Sequence, residues 1–354
     1  RTSITVPAPQ VELEDAVDKL CAFLLREGQK NFAVEGGGGI GKGGGTSSSS
    51  SFGLLFNFHG KEYLGAAHGL CGILHVLASA AAAFGGDGGL PRSRRAGLAQ
   101  ALEWGVGHLL DNTINETGNL RTAPGSTKDE LVQWCHGSPG LLFLEAALED
   151  MHRDRRIGRS IGSKEEETLL PICGGGKQQR GPPTDLAVSA ASAARLRAAT
   201  AKALPDIASR RGFLTKGLGL CHGLSGNGYA LLAFARARRL ARARGAESGE
   251  GKEEEEEASR RDAEAALAGA RRFRDVIASR WQEFAEVPDK SPAGLYTGMA
   301  GSVCFLADTI FYQGKDLVSF FFSFVFFFEL LRVFFSNSFS LSFSKGVFVL
   351  FRSL

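Results

Sequence analysis

Two Cys-His-Gly triplets stand far apart in the chain, Cys135-His136-Gly137 and Cys221-His222-Gly223, and a third histidine, His68, is also followed by glycine. Thiolates and imidazoles are the preferred ligands of Zn²⁺. Two thiolates and one imidazole would fill three positions of a tetrahedral ion and leave the fourth open, which is the arrangement of a catalytic site rather than a structural one. A single Cys-His pair carries little weight, because free cysteine is commonly a small buried hydrophobe. Two such triplets at equivalent places in a repeat carry far more.

The repeat is the element that must position them. Four segments share one pattern of a polar residue, Gly, two small or apolar residues, Gly, and then an apolar helix: His68-Gly69-Leu70-Cys71-Gly72, His136-Gly137-Ser138-Pro139-Gly140, His222-Gly223-Leu224-Ser225-Gly226 and Thr297-Gly298-Met299-Ala300-Gly301. Between them lie second helices with one charged face, at 95–112 and 261–285, where apolar residues recur at helical spacing. A helix that is apolar all round must be covered on all sides. The pattern therefore predicts an all-α protein, a double-layered α/α toroid (barrel) of helical hairpins, with an open α-solenoid sharing the same signature. If the inner helices start at one end of a barrel, their first residues converge on a common mouth. His68, Cys135, His136, Cys221 and His222 would then meet there.

Composition narrows the function. The chain has 354 residues, 44% hydrophobic and 22% charged, with a net charge of only +3. That is globular, and it lacks the dominant basic face of a nucleic-acid binder. The six cysteines are scattered rather than packed into a disulfide framework, and no signal-peptide pattern is present. The expectation is an intracellular, cytoplasmic protein, and the Arg1 start reads as a fragment. Residues 36–51 read as a flexible Gly/Ser linker, and the lysine within them (Lys42) has no preceding strand to make a P-loop. Residues 153–200 read as a low-complexity insertion and 236–262 as a charged surface insertion or a solvated charged helix, since blocks of like charge rarely enter a core. Half of the 26 phenylalanines fall in residues 313–354. Glu329 and Arg332 interrupt the most apolar run there, which is shorter than the roughly 20 residues a bilayer needs, so this tail reads as non-family sequence rather than an anchor. The expected organisation is a helix over 1–35, repeats over 52–152 and repeats over 201–312, around these insertions.

The motifs FHGKEYLGAAHGLCGILHVL (58–77), ETGNLRTAP (116–124) with LVQWCHGSPGLLFLEAA (131–147), TKGLGLCHGLSGNGYALLAF (215–234) and GLYTGMAGSVCFLADTI (294–310) resemble those of the eukaryotic lanthionine synthetase C-like (LanC-like) family. The resemblance implies an α/α toroid of seven inner and seven outer helices, of which about four of seven repeats fall in this chain. It implies one Zn²⁺ held by Cys135, Cys221 and His222. It implies His68 as the acid/base group and Lys216 beside the thiol-substrate pocket; His136 stands where bacterial relatives carry a tyrosine and is expected to face substrate. The implied reaction is addition of a thiol, glutathione, to dehydroalanine or dehydrobutyrine residues in peptides or proteins. The alternative is a non-catalytic glutathione- and zinc-binding scaffold, signalling-associated and peripheral to the plasma membrane. An α/α-toroid glycosidase would need paired carboxylates at the mouth, where the turns offer thiols and imidazoles instead.

The remaining candidates read as packing. His59, His75, His108 and His152 are expected at the surface or in packing, Cys21, Cys71 and Cys304 as small core residues, and Cys173 as an exposed thiol. Trp134 is expected beneath the second turn, with Asn227 and Tyr229 buttressing the third.

Overall fold

The computed structural model describes residues 8–34, 52–85, 89–165, 188–213, 216–248, 253–285 and 293–311. Within them the chain is all-α apart from one short hairpin. Helices α1 (Ala8–Val34), α2 (Leu70–Phe84), α3 (Arg92–Asn112), α4 (Pro139–Glu165), α5 (Ala190–Ala208), α6 (Arg210–Phe213), α7 (Leu224–Ser248), α8 (Glu253–Ala285) and α9 (Ala300–Phe311) follow in order, with strands β1 (Asn57–Phe58) and β2 (Lys61–Glu62) between α1 and α2.

The helices form two layers. α2 packs on α4, α4 on α7 and α7 on α9, giving an inner row that holds the four glycine turns. α1, α3, α5 and α8 form the outer row, each against its neighbour, with α3 also on α2 and α8 also on α7. The division follows composition. α2, LCGILHVLASAAAAF, is buried from Leu70 through Ala78, whereas α8 starts on Glu253–Glu256 and buries one stripe at Ala263, Ala266, Ala270, Phe273 and Ile277. Four acids in a first turn also suit the positive end of the helix dipole.

The second glycine of the motif lets three of the four inner helices, α2, α7 and α9, start tightly. A Cβ at Gly72 would meet the Ala66 carbonyl oxygen at 1.8 Å, one at Gly226 that of Leu220 at 1.9 Å, and one at Gly301 that of Leu295 at 2.3 Å. These are backbone atoms six residues earlier in each of these three repeats, so no side-chain adjustment relieves the clash.

Both expected insertions are helical in part. α4 continues to Glu165 and α5 begins at Ala190, so helix occupies both ends of 153–200; residues 166–187 lie outside the described set. The charged stretch 236–262 is mostly helix, the C-terminal part of α7 and the start of α8. Its arginines enter the core because α4 supplies acids to meet them. Arg236 pairs with Asp150 at 2.5 Å, Arg238 with Glu145 at 3.3 Å, and Arg244 with Glu149 at 2.5 Å, and both Arg236 and Arg238 are buried. Thr200 donates to Glu145 at 2.5 Å. Burial pushes the Glu145 and Glu149 carboxyls up, against the pull of these arginines.

Cys21 and Cys71 are core residues, as expected, and burial pushes both thiols up to about 12. Cys304 is only half-buried, because α9 exposes the face carrying Val303 and Ile310. His75 is buried in the core of α2. The linker 36–51, the tail 313–354 and Cys173 lie outside the described residues. Among the described residues no helix is long and apolar enough to cross a membrane.

Candidate metal centre

The residues that precede the turn glycines by two positions, Ala67, Cys135, Cys221 and Tyr296, are equivalent in the repeat, and their backbones are bonded in series. The Ala67 amide faces the Cys135 carbonyl at 3.5 Å, the Cys135 amide donates to the Cys221 carbonyl at 3.0 Å, and the Cys221 amide donates to the Tyr296 carbonyl at 2.8 Å. Close backbone approach makes this ladder. A Cβ at Gly65 would sit 2.1 Å from the Cys135 oxygen, and one at Gly219 would sit 2.5 Å from that of Tyr296. The turns are thereby stitched edge to edge at one end of the inner row.

The ladder brings together side chains 86 positions apart in sequence. One donor atom each from Cys135, Cys221 and His222 lies within 4.8 Å of the others. Cys135 is buried, while Cys221 and His222 are half-buried. The Cys135 thiol also lies 3.8 Å from the Gln133 side-chain oxygen. Its hydrogen bond with Cys221, and then burial, push the Cys135 thiol well above its ordinary value. Two adjacent sulfurs resist two negative charges, and a cation between them removes that resistance. Zinc at about 2.3 Å from sulfur and about 2.0 Å from nitrogen sets ligand atoms about 3.5–3.8 Å apart. No two donor atoms of the observed cluster lie more than 4.8 Å apart, at most about 1 Å beyond that spacing. Donor chemistry and spacing both fit that ion.

Polar side chains fix the turns from behind. Asn119 is buried; its Oδ1 accepts from the Ser138 amide at 2.8 Å and the Ser138 hydroxyl at 3.1 Å, and its Nδ2 donates to Asp129 at 2.9 Å and to the Leu131 carbonyl at 3.0 Å. Arg211 donates to Asp129 at 3.0 Å and to Asp206 at 2.7 Å. Burial disfavours the Asp129 carboxylate, but hydrogen bonds led by Arg211 and Asn119 outweigh it and hold the carboxyl at about 2. Asn227, expected to support the third turn, donates to the Gly212 carbonyl ahead of that turn at 2.9 Å and also crosses to the Val132 carbonyl before the second at 2.8 Å. Tyr229 donates to Asp308, tying α7 to α9. Trp134 is buried beside the Tyr296 ring, with centroids 6.1 Å apart.

The other expected site residues share this mouth. The His136 ring lies 6.4 Å from that of His68 and 5.4 Å from that of Tyr63. Burial, then the nearby charges of His68, Lys216 and His222, bring the His136 imidazole down to about 4. Lys216 is exposed, and its amide donates to the His222 carbonyl at 3.1 Å. His68 is half-buried and lowered by burial and then by His59. Its ring stacks on Phe58, with centroids 4.4 Å apart and planes at 3°. Sequence reasoning singled out neither Phe58 nor the Asn119–Asp129–Arg211 network. The only signal for the latter is the polar run 115–119 in a loop joining two helices, where Asn is commonly a turn residue.

The sequence profile described as "Lanthionine synthetase C-like protein" matches residues 12–169 and 187–322. A Danio rerio protein named "Glutathione S-transferase LANCL1" is 24% identical over 257 residues, covering 73% of this chain and 45% of that protein. An Arabidopsis thaliana "LanC-like protein GCL1" is 28% identical over 116 residues, 33% of this chain and 24% of its own. The chain thus spans less than half the length of these relatives.

Proposed function

This chain belongs to the lanthionine synthetase C-like family, and on that premise we propose that it holds Zn²⁺ and adds the thiol of glutathione to dehydroalanine or dehydrobutyrine residues in peptides or proteins. The observation that carries the reading is the convergence of Cys135, Cys221 and His222 within 4.8 Å, at turns bonded to one another through their backbones. The name of the Danio rerio relative supports glutathione as the thiol.

Cys135, Cys221 and His222 would hold the ion. When bound, zinc lowers the pKa of a thiol there, so that glutathione reacts as its thiolate near neutral pH. Every other task falls to side chains. Lys216, exposed beside His222, attracts a carboxylate of glutathione. His68 has its pKa lowered, so its imidazole is neutral at pH 7 and free to take the proton that the thiol releases. Sulfur bonds to the β-carbon, the double bond's electron pair moves to the α-carbon, and His68 returns the proton there. The sum is addition of S–H across a C=C bond. His136, kept neutral chiefly by burial, lines the acceptor side without competing for that proton.

The test is incubation of the zinc-loaded protein with glutathione and a dehydroalanine peptide, followed by mass spectrometry. One glutathione added per dehydroalanine, lost on chelation, is the expected result. Glutathione and zinc binding without adduct would instead establish a binding scaffold.

A further inference from the structure

We propose that Phe58 is a positioning residue for His68, fixing the plane of the imidazole and covering one of its faces; the inference rests on the reading of His68 as the proton carrier. Three observations carry it. First, the two rings lie 3° from parallel with centroids 4.4 Å apart, while the other aromatic neighbours of His68, Tyr63 and His136, are tilted by 61° and 56° at more than 6 Å. Phe58 is the partner that defines the plane. Second, the buried Nδ1 of His68 has no hydrogen-bond partner among the described residues. The usual device that orients a working histidine, a carboxylate or carbonyl on its second nitrogen, is therefore replaced here by ring stacking.

Third, the local fold exists to present Phe58. β1 and β2 pair antiparallel, Phe58 opposite Lys61, around the two-residue loop His59-Gly60. Both loop residues have positive φ, 52° and 74°, the combination of a type I′ hairpin turn. Such a turn sharply reverses the chain and fixes which residue flanks it. The turn also packs the His59 ring edge-on against Phe58, centroids 4.3 Å apart, so that Phe58 is held between the two imidazoles. Behind the hairpin, the Leu64 amide donates to the Thr122 carbonyl at 3.1 Å. The titratable groups that face His68 are His59 from the hairpin, Tyr63 after it and His136 from the second turn.

The experiment uses the full chain loaded with zinc and compares Phe58→Ala and Phe58→Trp with the parent. The readouts are the His68 titration by NMR of its imidazole ring protons and the kinetics of glutathione addition. In Phe58→Ala, the His68 midpoint rises toward the ordinary histidine value near 6.5 as water reaches the ring. kcat falls about tenfold, a part of the about 10²–10⁴-fold that a positioned proton carrier supplies, while KM for peptide and glutathione stays within about twofold. Phe58→Trp restores both. Should Phe58→Ala not fold, Phe58→Leu, which keeps apolar bulk but no stacking face, takes its place against Phe58→Trp. A parent-like His68 titration in the Ala or Leu variant overturns the inference, even where activity drops. Full turnover in His68→Gln would remove the role given to His68 while leaving the titration shift caused by Phe58 to stand on its own.

Discussion

The amide of Cys135 donates to the carbonyl of Cys221 at 3.0 Å, although the residues belong to different repeats and different inner helices follow them. The bond joins equivalent positions, and Ala67 and Tyr296 extend the same series on either side. The main chain thus sets the turns that carry the candidate ligands Cys135, Cys221 and His222 against one another.

Glycine in the motif is a steric requirement. Gly226→Ala would place a Cβ 1.9 Å from the Leu220 carbonyl oxygen and is expected to cost about 1–3 kcal/mol, or to prevent folding. Gly107→Ala, in the middle of α3 with open space around its Cβ, is expected to stabilise by about 0.5–1 kcal/mol. Thermal denaturation of the pair distinguishes steric need from simple helix propensity; equal effects would contradict the assignment.

Asn119 supports the second turn through four side-chain hydrogen bonds, none of them to Cys135, Cys221 or His222. Asn119→Ala orphans the Ser138 and Leu131 backbone groups and is expected to lower stability by about 1–3 kcal/mol and zinc affinity by about 10-fold or more. Denaturant unfolding and competitive zinc titration measure the two. Unchanged zinc affinity in the folded variant would show that the turn holds its shape without this support.

Asp129 ties stability to pH in the acid range. Its folded-state pKa, about 2, lies below the ordinary aspartate value near 3.9. The stabilisation from its contacts with Arg211 and Asn119 is therefore complete above about pH 4 and fades as pH falls through about 2. Asp129→Asn should be less stable than the parent at pH 7, with the difference closing between pH 4 and 2. Melting temperatures across that range check the sign, and a constant difference would contradict it.

Arg238 and Glu145 form a buried pair, with side chains 5% and 2% exposed. Arg238→Met leaves the carboxylate without its main counter-charge and is expected to cost about 3–5 kcal/mol. The simultaneous change Arg238→Met with Glu145→Leu should recover much of that. Urea unfolding of single and double variants supplies the comparison; equal losses in both would mean the ion pair itself contributes little.

The legible part of this molecule was what repeats. The glycine turns, the apolar inner helices and the two Cys-His-Gly triplets announce themselves by period and residue type, and the structure sets Cys135, Cys221 and His222 side by side. What stayed hidden depends on partners distant in sequence. Nothing local in ARARRLARAR shows that Glu145, Glu149 and Asp150 of α4 lie opposite, so the run read as a solvated insertion. Phe58 was invisible for the same reason: its role depends on a hairpin of only four paired residues and on a ring ten positions away. Asn227 was placed at its own turn because sequence shows only the local neighbour, whereas its side chain crosses to Val132.

The central claim is that two sulfurs and one imidazole hold a single zinc ion. Metal content after dialysis, measured by inductively coupled plasma mass spectrometry on the parent and on Cys135→Ser, Cys221→Ser and His222→Ala, tests it most directly. The prediction is about one zinc per chain in the parent and loss of most of it in each variant, with helical circular dichroism retained. A parent without tightly bound zinc, or variants that keep it, would contradict the account.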